Sequence, residues 1–259
     1  MQIVRQRHVR NTGRIVSFAL ALILIACPGT AQVVSDDFSD LNDTVDPTWT
    51  RLNGLVASTG QTWDASTGQY RMTAPNNGFS SLGFVGSYTG AAMTDVVVTA
   101  DIVSFIDDAT ANGAPFAVAA RLNGNNAFNS LTGYGYAYEP FAASGLGEVV
   151  LYRMTGASFV DLGHQQVTLD PSKDYRFELG IAGTQLHGRV FEIGGGMVSE
   201  LFATDATYAS GVSGLFAYSQ NPIPPVDVTW DNFSSVPEPG IGLLASLAAS
   251  GAVLRRRKG

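Results

Sequence analysis

Between residues 33 and 235, apolar and polar residues alternate in short runs. Alternate positions of Asp95–Phe105 are apolar, and Tyr175–Leu179 alternates apolar with charged side chains. Successive side chains of a β-strand point to opposite faces, so each run is typical of a strand with one buried face. Glycine, asparagine or proline separates the runs, and none of them has the sustained 3.6-residue period of a helix. The pattern predicts an all-β domain of antiparallel strands.

A hairpin and several further strands follow from the same pattern. A Gly183-Thr184 turn joins Tyr175–Leu179 to Gln185–Ile193, which predicts a β-hairpin. Three other runs are predicted as strands of the same domain: Pro115–Leu122, Glu148–Met154 and Ser213–Tyr218.

The order of these segments resembles the concanavalin A-like, or laminin-G-like, jelly-roll sandwich. The resemblance rests on four features: Asp36-Asp37-Phe38 followed by Trp49, the hairpin Tyr175–Ile193, Gly211–Phe216, and Val228–Phe233. It implies a two-sheet antiparallel sandwich that covers residues 32–235. Sandwiches of this shape include sugar-cleaving enzymes, sugar-binding modules and adhesion domains, so the fold does not decide the function.

The resemblance also implies that the first and last strands of the body lie side by side. These strands are Val33–Phe38 and Val226–Phe233. Within the last strand, Val228 and Trp230 are expected on one face. Phe233 is three positions beyond Trp230, so it can face the core only through a bulge or at the end of the strand.

Both ends of the chain are predicted to be targeting segments. Four arginines precede the apolar run Ile15–Ala26, and Gly29 and Ala31 supply the small residues of a cleavage site. This arrangement is typical of a secretory signal peptide, residues 1–31, removed by signal peptidase. A permanent N-terminal anchor is one alternative. Another is a lipoprotein, because the four residues that end in Cys27 resemble a bacterial lipobox.

The C-terminal residues 236–259 have three parts in a fixed order: Val-Pro-Glu-Pro-Gly, the apolar run Ile241–Leu254, and a basic end. This tail resembles the PEP-CTERM sorting signal of bacteria, which an exosortase recognises. The apolar run would be a hydrophobic helix of about 21 Å, which is short for a bilayer and would anchor the chain transiently or permanently. The residues that match the motif are Val236, Pro237, Glu238, Pro239, Gly240, Arg255, Arg256 and Arg257.

The charge and the cysteine content exclude several function classes. Eight of the 15 basic residues lie in the two terminal segments, whereas all 22 acidic residues lie between Asp36 and Glu238. Such an acidic body argues against a nucleic-acid partner, which requires a basic surface. Cys27 is the only cysteine. Cleavage after Ala31 therefore leaves a chain without disulfides or thiol chemistry.

Three tyrosines are candidate ligand contacts. Tyr134, Tyr136 and Tyr138 are two residues apart, so in a strand they share one face. A row of exposed tyrosines would offer flat platforms for sugar rings. The alternative, which the pattern favours, is that these rings fill the core between the sheets.

Calcium is a candidate cofactor. The ion binds six to eight oxygen atoms, and carboxylates are its preferred side-chain ligands. Asp36 and Asp37 at the start of the body would approach Asp231 near its end if the terminal strands pair. The alternative is that these aspartates bind backbone amides in turns.

The sequence favours a binding or structural role over catalysis. The glutamates of the body stand singly, without the Glu-x-Asp-x-x-Glu string of concanavalin-like glycoside hydrolases, and His164 and His187 have no metal-ligand spacing. We therefore expect an exported protein of the cell surface or extracellular matrix, whose body is a structural or carbohydrate-binding module with extracellular polysaccharide as its partner. The alternative is a glycan-degrading enzyme with an unrecognised carboxylate pair.

Overall fold

The computed structural model describes residues 33–52, 60–75, 83–106, 114–124, 130–140, 146–156, 158–219 and 225–238. They all belong to one compact unit, Ala31–Gly259. The predicted signal peptide, Cys27 and residues 239–259 lie outside the described residues, so the targeting roles of both ends stay predictions. Within the described part of the chain, no helix is long and apolar enough to cross a bilayer.

The described residues form strands joined by turns and loops. The strands are β1 (Val34–Asp36), β2 (Thr50–Arg51), β3 (Thr62–Asp64), β4 (Tyr70–Ala74), β5 (Gly83–Met93), β6 (Val96–Phe105), β7 (Phe116–Asn123), β8 (Thr132–Glu139), β9 (Glu148–Thr155), β10 (Ser158–Gln166), β11 (Tyr175–Ala182), β12 (Gln185–Glu192), β13 (Met197–Thr204), β14 (Gly211–Ser219) and β15 (Val226–Pro237).

The strands form two antiparallel sheets. The eight-stranded sheet has the order β13-β12-β11-β6-β15-β4-β3, with β1 also paired to β15. The seven-stranded sheet has the order β10-β9-β8-β7-β14-β5-β2. Strands that are neighbours in a sheet are often distant in the sequence, as in β6 and β15. The predicted two-sheet antiparallel sandwich is confirmed.

The core lies between the two sheets and is built by the alternating positions of the strands. In β6 the side chains of Val96, Val98 and Ile102 are fully buried, whereas Val97 and Thr99 on the other face are half-buried. Burying one such aliphatic side chain contributes about 1.5–3 kcal/mol. The apolar face of each strand therefore fixes which side of the sheet turns inward.

The first and last strands pair as predicted. Val34 lies opposite Ser235, and Asp36 lies opposite Phe233. The pairing of β15 with β6 shifts register between Asp231 and Ser234, and Asn232 has a positive φ of 49°. This irregularity is a bulge that changes the alternation by one residue. As a result both Trp230 and Phe233 are buried, which confirms the expected bulge.

The last strand continues four residues beyond the predicted end at Phe233. Val236 lies opposite Val97 and Pro237 opposite Val96, so both are part of the eight-stranded sheet. The next residue, Glu238, donates its backbone N–H to the carbonyl of Asp95 at 3.1 Å. The first three residues of the Val-Pro-Glu-Pro-Gly segment, which the sequence motif assigned to the tail, are thus held by the sandwich. Proline is tolerated at this point because the strand ends there.

Candidate functional site

The three candidate tyrosines lie in the core. Tyr134, Tyr136 and Tyr138 share the inner face of β8, and each is 0% exposed. Tyr136 packs against Phe177 of the opposite sheet, with ring centroids 5.9 Å apart. A ligand outside the sandwich cannot stack on these rings. The sugar-platform hypothesis for the three tyrosines is therefore corrected to the core alternative.

The tyrosine hydroxyls are used inside the protein or enclosed by it. Tyr134 donates to Oδ1 of Asp205 at 2.7 Å and accepts the N–H of Tyr208 at 3.0 Å. Burial favours a higher pKa for Asp205, but bonds from Thr207, Tyr134 and Arg153 outweigh it and lower the pKa to about 2. Burial raises the pKa of Tyr136 to about 12. Tyr134, Asp205, Thr207 and Arg153 therefore form a structural network, whereas the hydroxyl of Tyr136 is enclosed by the protein outside this network.

The predicted calcium ligands make hydrogen bonds within the chain. Asp36 is 7% exposed, and its two oxygens accept the backbone N–H of Phe38 and the indole N–H of Trp49, both at 2.7 Å. Burial raises the pKa of Asp36, although these two bonds partly oppose the shift. Asp231 accepts the N–H of Asn232 at 2.7 Å. Asp36 therefore accepts a hydrogen bond from the backbone of the following turn, and Asp231 accepts one within the bulge of β15.

The geometry around these aspartates gives calcium little support. Asp36 and Asp37 line an open depression of about 570 Å³ with Asp40, Asp46 and Asn232. Among the residues that the structure describes, no three His, Cys, Asp or Glu side chains are grouped to hold a metal ion. Because Asp36 already serves two internal donors, it fits poorly as a ligand. Calcium stays a prediction to be tested.

A different site lies on the outer face of the eight-stranded sheet. Gly180 of β11 is opposite His187 of β12, which is opposite Phe202 of β13. Because Gly180 has no side chain, the surface is open beside His187. The depression there has a volume of about 340 Å³, and we call it the Gly180 trough. Its polar and aromatic lining consists of Glu178, Gln185, His187, Arg189, Phe202 and Glu238.

One wall of the Gly180 trough is a flat aromatic surface. The rings of His187 and Phe202 are stacked, with centroids 4.2 Å apart and planes 13° from parallel. Nε2 of His187 lies 2.9 Å from Oε1 of Glu200, and this contact fixes the orientation of the imidazole. Phe202 is 67% exposed, which is unusual for a phenylalanine. The wall therefore presents an immobilised apolar ring to solvent.

The other walls carry hydrogen-bonding groups. Arg189 forms an ion pair with Glu178 across the β11–β12 pair. The buried Nε–H of Arg189 has no acceptor. The half-buried carboxylate of Glu238 also lines the trough. Burial is the main cause that raises its pKa, and the nearby negative charge of Glu178 raises it further. The trough thus combines an exposed ring with an amide, a guanidinium and carboxylates.

The outer face of the seven-stranded sheet is concave and aromatic. The rings of Phe159 in β10 and Tyr218 in β14 are stacked, with centroids 5.1 Å apart. Four inter-strand spacings, about 19 Å in a flat sheet, separate these strands, so the sheet must curve. The central strands contribute small residues to this face, such as Gly135 and Ala137, and the ring of Tyr152 lies over Gly135.

A pair of carboxylates lies at one end of this concave face. Glu139 and Glu148 are opposite each other in the β8–β9 pair, and both are half-buried. Tyr218 donates its hydroxyl to Oε1 of Glu139 at 3.2 Å. Burial raises the pKa of Glu139, and the negative charge of Glu148 contributes to the shift. The hydroxyl of Tyr152, buried on the same face, has no partner.

Sequence reasoning missed both of these sites. The predicted hairpin already placed Gly180 beside His187. Because β13 was not predicted as a strand, the sequence could not place Phe202 next to His187. The same argument, applied to β8 and β9, would have paired Glu139 with Glu148 if the register of these two strands had been known. In each case the missing information was the register between strands and not the type of residue.

Comparison with solved structures identifies the fold. The chain is similar to the CBM2 module of the evolved Dit protein of Lactobacillus casei BL23 phage J-1, at 11% identity and a TM-score of 0.56, covering 80% of this chain and 96% of that one. It is also similar to basic winged bean lectin with Tn-antigen, at 12% identity and a TM-score of 0.55, covering 82% and 100%. The domain is a lectin-like jelly roll.

A third similar structure is a Bacillus subtilis protein of unknown function with a galectin-like fold, at 12% identity and a TM-score of 0.55, covering 81% of this chain and 96% of that one. At these identities the likeness extends to the fold of the jelly roll only. The sequence itself matches no protein-family model and no curated protein sequence. The function must therefore be argued from the sites of this chain.

Proposed function

We propose that the jelly roll is a glycan-binding module and that glycan binds in the Gly180 trough. The observation that carries this proposal is the ring of Phe202, which is 67% exposed yet held flat against His187. Sugar rings have an apolar face that stacks on such a ring. The amide of Gln185 and the carboxylate of Glu238 also line the trough and offer hydrogen-bonding groups to the hydroxyls of a bound glycan.

Several properties of the chain support this function. The lectin-like jelly roll is the fold of proteins named as a lectin and as a carbohydrate-binding module. The trough is open at the surface, so a residue within a long polysaccharide could enter it without a chain end. The predicted signal peptide and sorting tail would place the protein at the cell surface or in the matrix, after processing by signal peptidase and exosortase.

The binding proposal is tested with a glycan array and matched variants. We expect the purified protein to bind a subset of polysaccharides, and Phe202→Ala to weaken this binding by about 1–3 kcal/mol if sugar stacking resembles base stacking. Met197→Ala is the control, because Met197 is an exposed apolar residue of the same strand that lies outside the trough. Binding that survives in Phe202→Ala, or no binding to any glycan, would contradict the proposal.

The sorting proposal is tested separately in cells. Replacing Pro237-Glu238-Pro239 by three alanines should leave the protein unprocessed in the inner membrane. The same replacement should leave the melting temperature nearly unchanged, because it alters the end of a strand and no core residue. A variant that still reaches the surface in processed form would show that exosortase does not sort this chain.

Glycan hydrolysis is a second candidate function, which the Glu139–Glu148 pair favours. Residues opposite each other in an antiparallel pair have Cβ atoms about 4.5–5.5 Å apart, so the side chains of this pair are long enough to bring their carboxyl groups to the separation of about 5–5.5 Å that retaining glycosidases use. Glu139, whose pKa burial raises, would be the general acid, and Glu148 the nucleophile. Release of reducing ends from a bound polysaccharide, lost in both Glu139→Gln and Glu148→Gln, would support hydrolysis. Binding without release would exclude it for that glycan.

A further inference from the structure

The charges around the Gly180 trough are unevenly compensated. Glu178, which lines the trough, is paired with Arg189, whereas Glu200 lies outside the lining and contacts His187, which carries a charge only when it is protonated. Glu238 is different. Among the described residues, no lysine, arginine or histidine forms an ion pair with its carboxylate, although Arg189 and His187 are near enough to lower its pKa slightly. The trough therefore contains one carboxylate whose charge is not neutralised by a direct partner.

The fold holds this carboxylate in a defined place. Val236 and Pro237 pair with β6, and Glu238 follows directly after them. The backbone N–H of Glu238 donates to the carbonyl of Asp95 at 3.1 Å, and this bond fixes the position of the residue. A Cβ added to Gly180 would lie 4.0 Å from Oε2 of Glu238, so the carboxylate is above the glycine floor. Its half-buried position means that part of its hydration has already been removed.

We propose that the Gly180 trough selects glycans that carry free amino groups, with the ammonium of an amino sugar bound to Glu238 and the sugar ring stacked on Phe202. This inference rests on the proposed glycan-binding function and adds the class of sugar. A partly desolvated carboxylate without a partner gains most from a ligand that brings a positive charge.

The alternatives are less favourable at this site. A neutral sugar, or one whose nitrogen is acetylated, offers Glu238 only a hydrogen bond and leaves its charge uncompensated. An acidic sugar would be repelled by the unpaired carboxylate of Glu238. The body as a whole is acidic, with all 22 acidic residues between Asp36 and Glu238, so a polycationic glycan is also attracted over longer distances.

The inference predicts a specific pH dependence. The groups that face Glu238 are Glu178, Asp95, Arg189 and His187. Burial raises the pKa of Glu238, so acid protonates this carboxylate earlier than a free glutamate and weakens the ion pair. At higher pH the sugar amine loses its proton, which also weakens it. Affinity for an amino glycan should therefore pass through a maximum between these two transitions, whereas affinity for a neutral glycan should not.

The test uses three hexasaccharides with the same β-1,4 linkage: glucosamine, N-acetylglucosamine and glucose. Calorimetry with the full-length protein near pH 6 should show binding of the glucosamine hexamer at least about tenfold tighter than of the other two. Glu238→Gln should reduce this preference to about threefold or less, because it weakens binding of the glucosamine hexamer much more than binding of the glucose hexamer. Asp64→Asn, an exposed carboxylate of the same sheet outside the trough, is the control and should keep the preference.

The outcomes separate this inference from the proposed function. If no glycan of the array binds in the trough, or Phe202→Ala alters no affinity, glycan binding in the trough is wrong and the inference fails with it. If Phe202→Ala weakens glycan binding but the glucosamine hexamer is not preferred, only the inference fails. An equal preference for the glucosamine hexamer in Glu238→Gln and in the wild type would also overturn the inference. A thermal melt of Glu238→Gln verifies that the variant is folded.

Discussion

Two glycines on neighbouring strands provide a sharp test of the packing. Gly188 of β12 faces the core, and a Cβ at this position would lie 2.6–2.9 Å from three ring atoms of Tyr136. Because Tyr136 is fully buried and packed against Phe177, its ring has little room to move. We expect Gly188→Ala to cost about 1–3 kcal/mol of stability through overpacking. For a domain of this size each kcal/mol lowers the melting temperature by about 2–4 °C.

Gly180→Ala is the matched control on the opposite face. A Cβ at Gly180 would have its nearest contacts at 3.8–4.0 Å, which are ordinary van der Waals distances. Its stability should equal or slightly exceed the wild type, because alanine suits a strand better than glycine. The added methyl group would occupy the floor of the trough and weaken glycan binding.

The assay for both glycine variants is a thermal melt followed by calorimetry with a bound glycan. A Gly188→Ala protein that melts within about a degree of the wild type would refute the packing, and a Gly180→Ala protein that loses several degrees would refute the assignment of faces.

Three further predictions concern the core, the pH dependence of stability and calcium. Tyr136→Ala should lower the free energy of unfolding by about 3–5 kcal/mol, whereas Tyr136→Phe should change it little, because the buried hydroxyl lies near Ser199 but forms no hydrogen bond of good geometry; denaturant titrations measure both. Asp205 has a pKa lowered to about 2, so its ionised form contributes stability that is fully present above the unfolded pKa of about 3.9 and is lost as the pH falls through about 2. The difference in melting temperature between the wild type and Asp205→Asn should therefore shrink with acidification, and a difference independent of pH would contradict the role of its charge. Calcium chloride should leave the melting temperature unchanged relative to EDTA if Asp36 acts only as an acceptor for Phe38 and Trp49; a rise that Asp37→Asn abolishes would restore the calcium hypothesis.

The sequence specified the fold well wherever one face of a strand is apolar and the other polar. This holds for β6 and for the hairpin of β11 and β12, whose alternation and turn residues agree. The bulge near Asn232 followed from the spacing of Trp230 and Phe233. These features depend on local patterns, which the sequence displays directly, whereas the pairing of the terminal strands followed from the resemblance to the jelly-roll family.

The sites could not be derived in the same way. The pattern showed that Tyr134, Tyr136 and Tyr138 share a face of β8, but not which face is inside. Both faces of this strand are covered, one by the opposite sheet and the other by rings such as Tyr152 over Gly135. The Gly180 trough depends on the register of three strands, and its last member, Glu238, belongs to a segment that the motif alone assigned to the tail.

The proposed function requires that glycan binds on the outer face of the eight-stranded sheet. Amide chemical-shift mapping of the ¹⁵N-labelled protein during titration with the glucosamine hexamer tests it most directly. We predict that the largest shifts occur at Gly180, His187, Phe202 and Glu238, and that they are lost in Phe202→Ala. Shifts concentrated at Glu139 and Glu148, on the concave face of the other sheet, would contradict the claim.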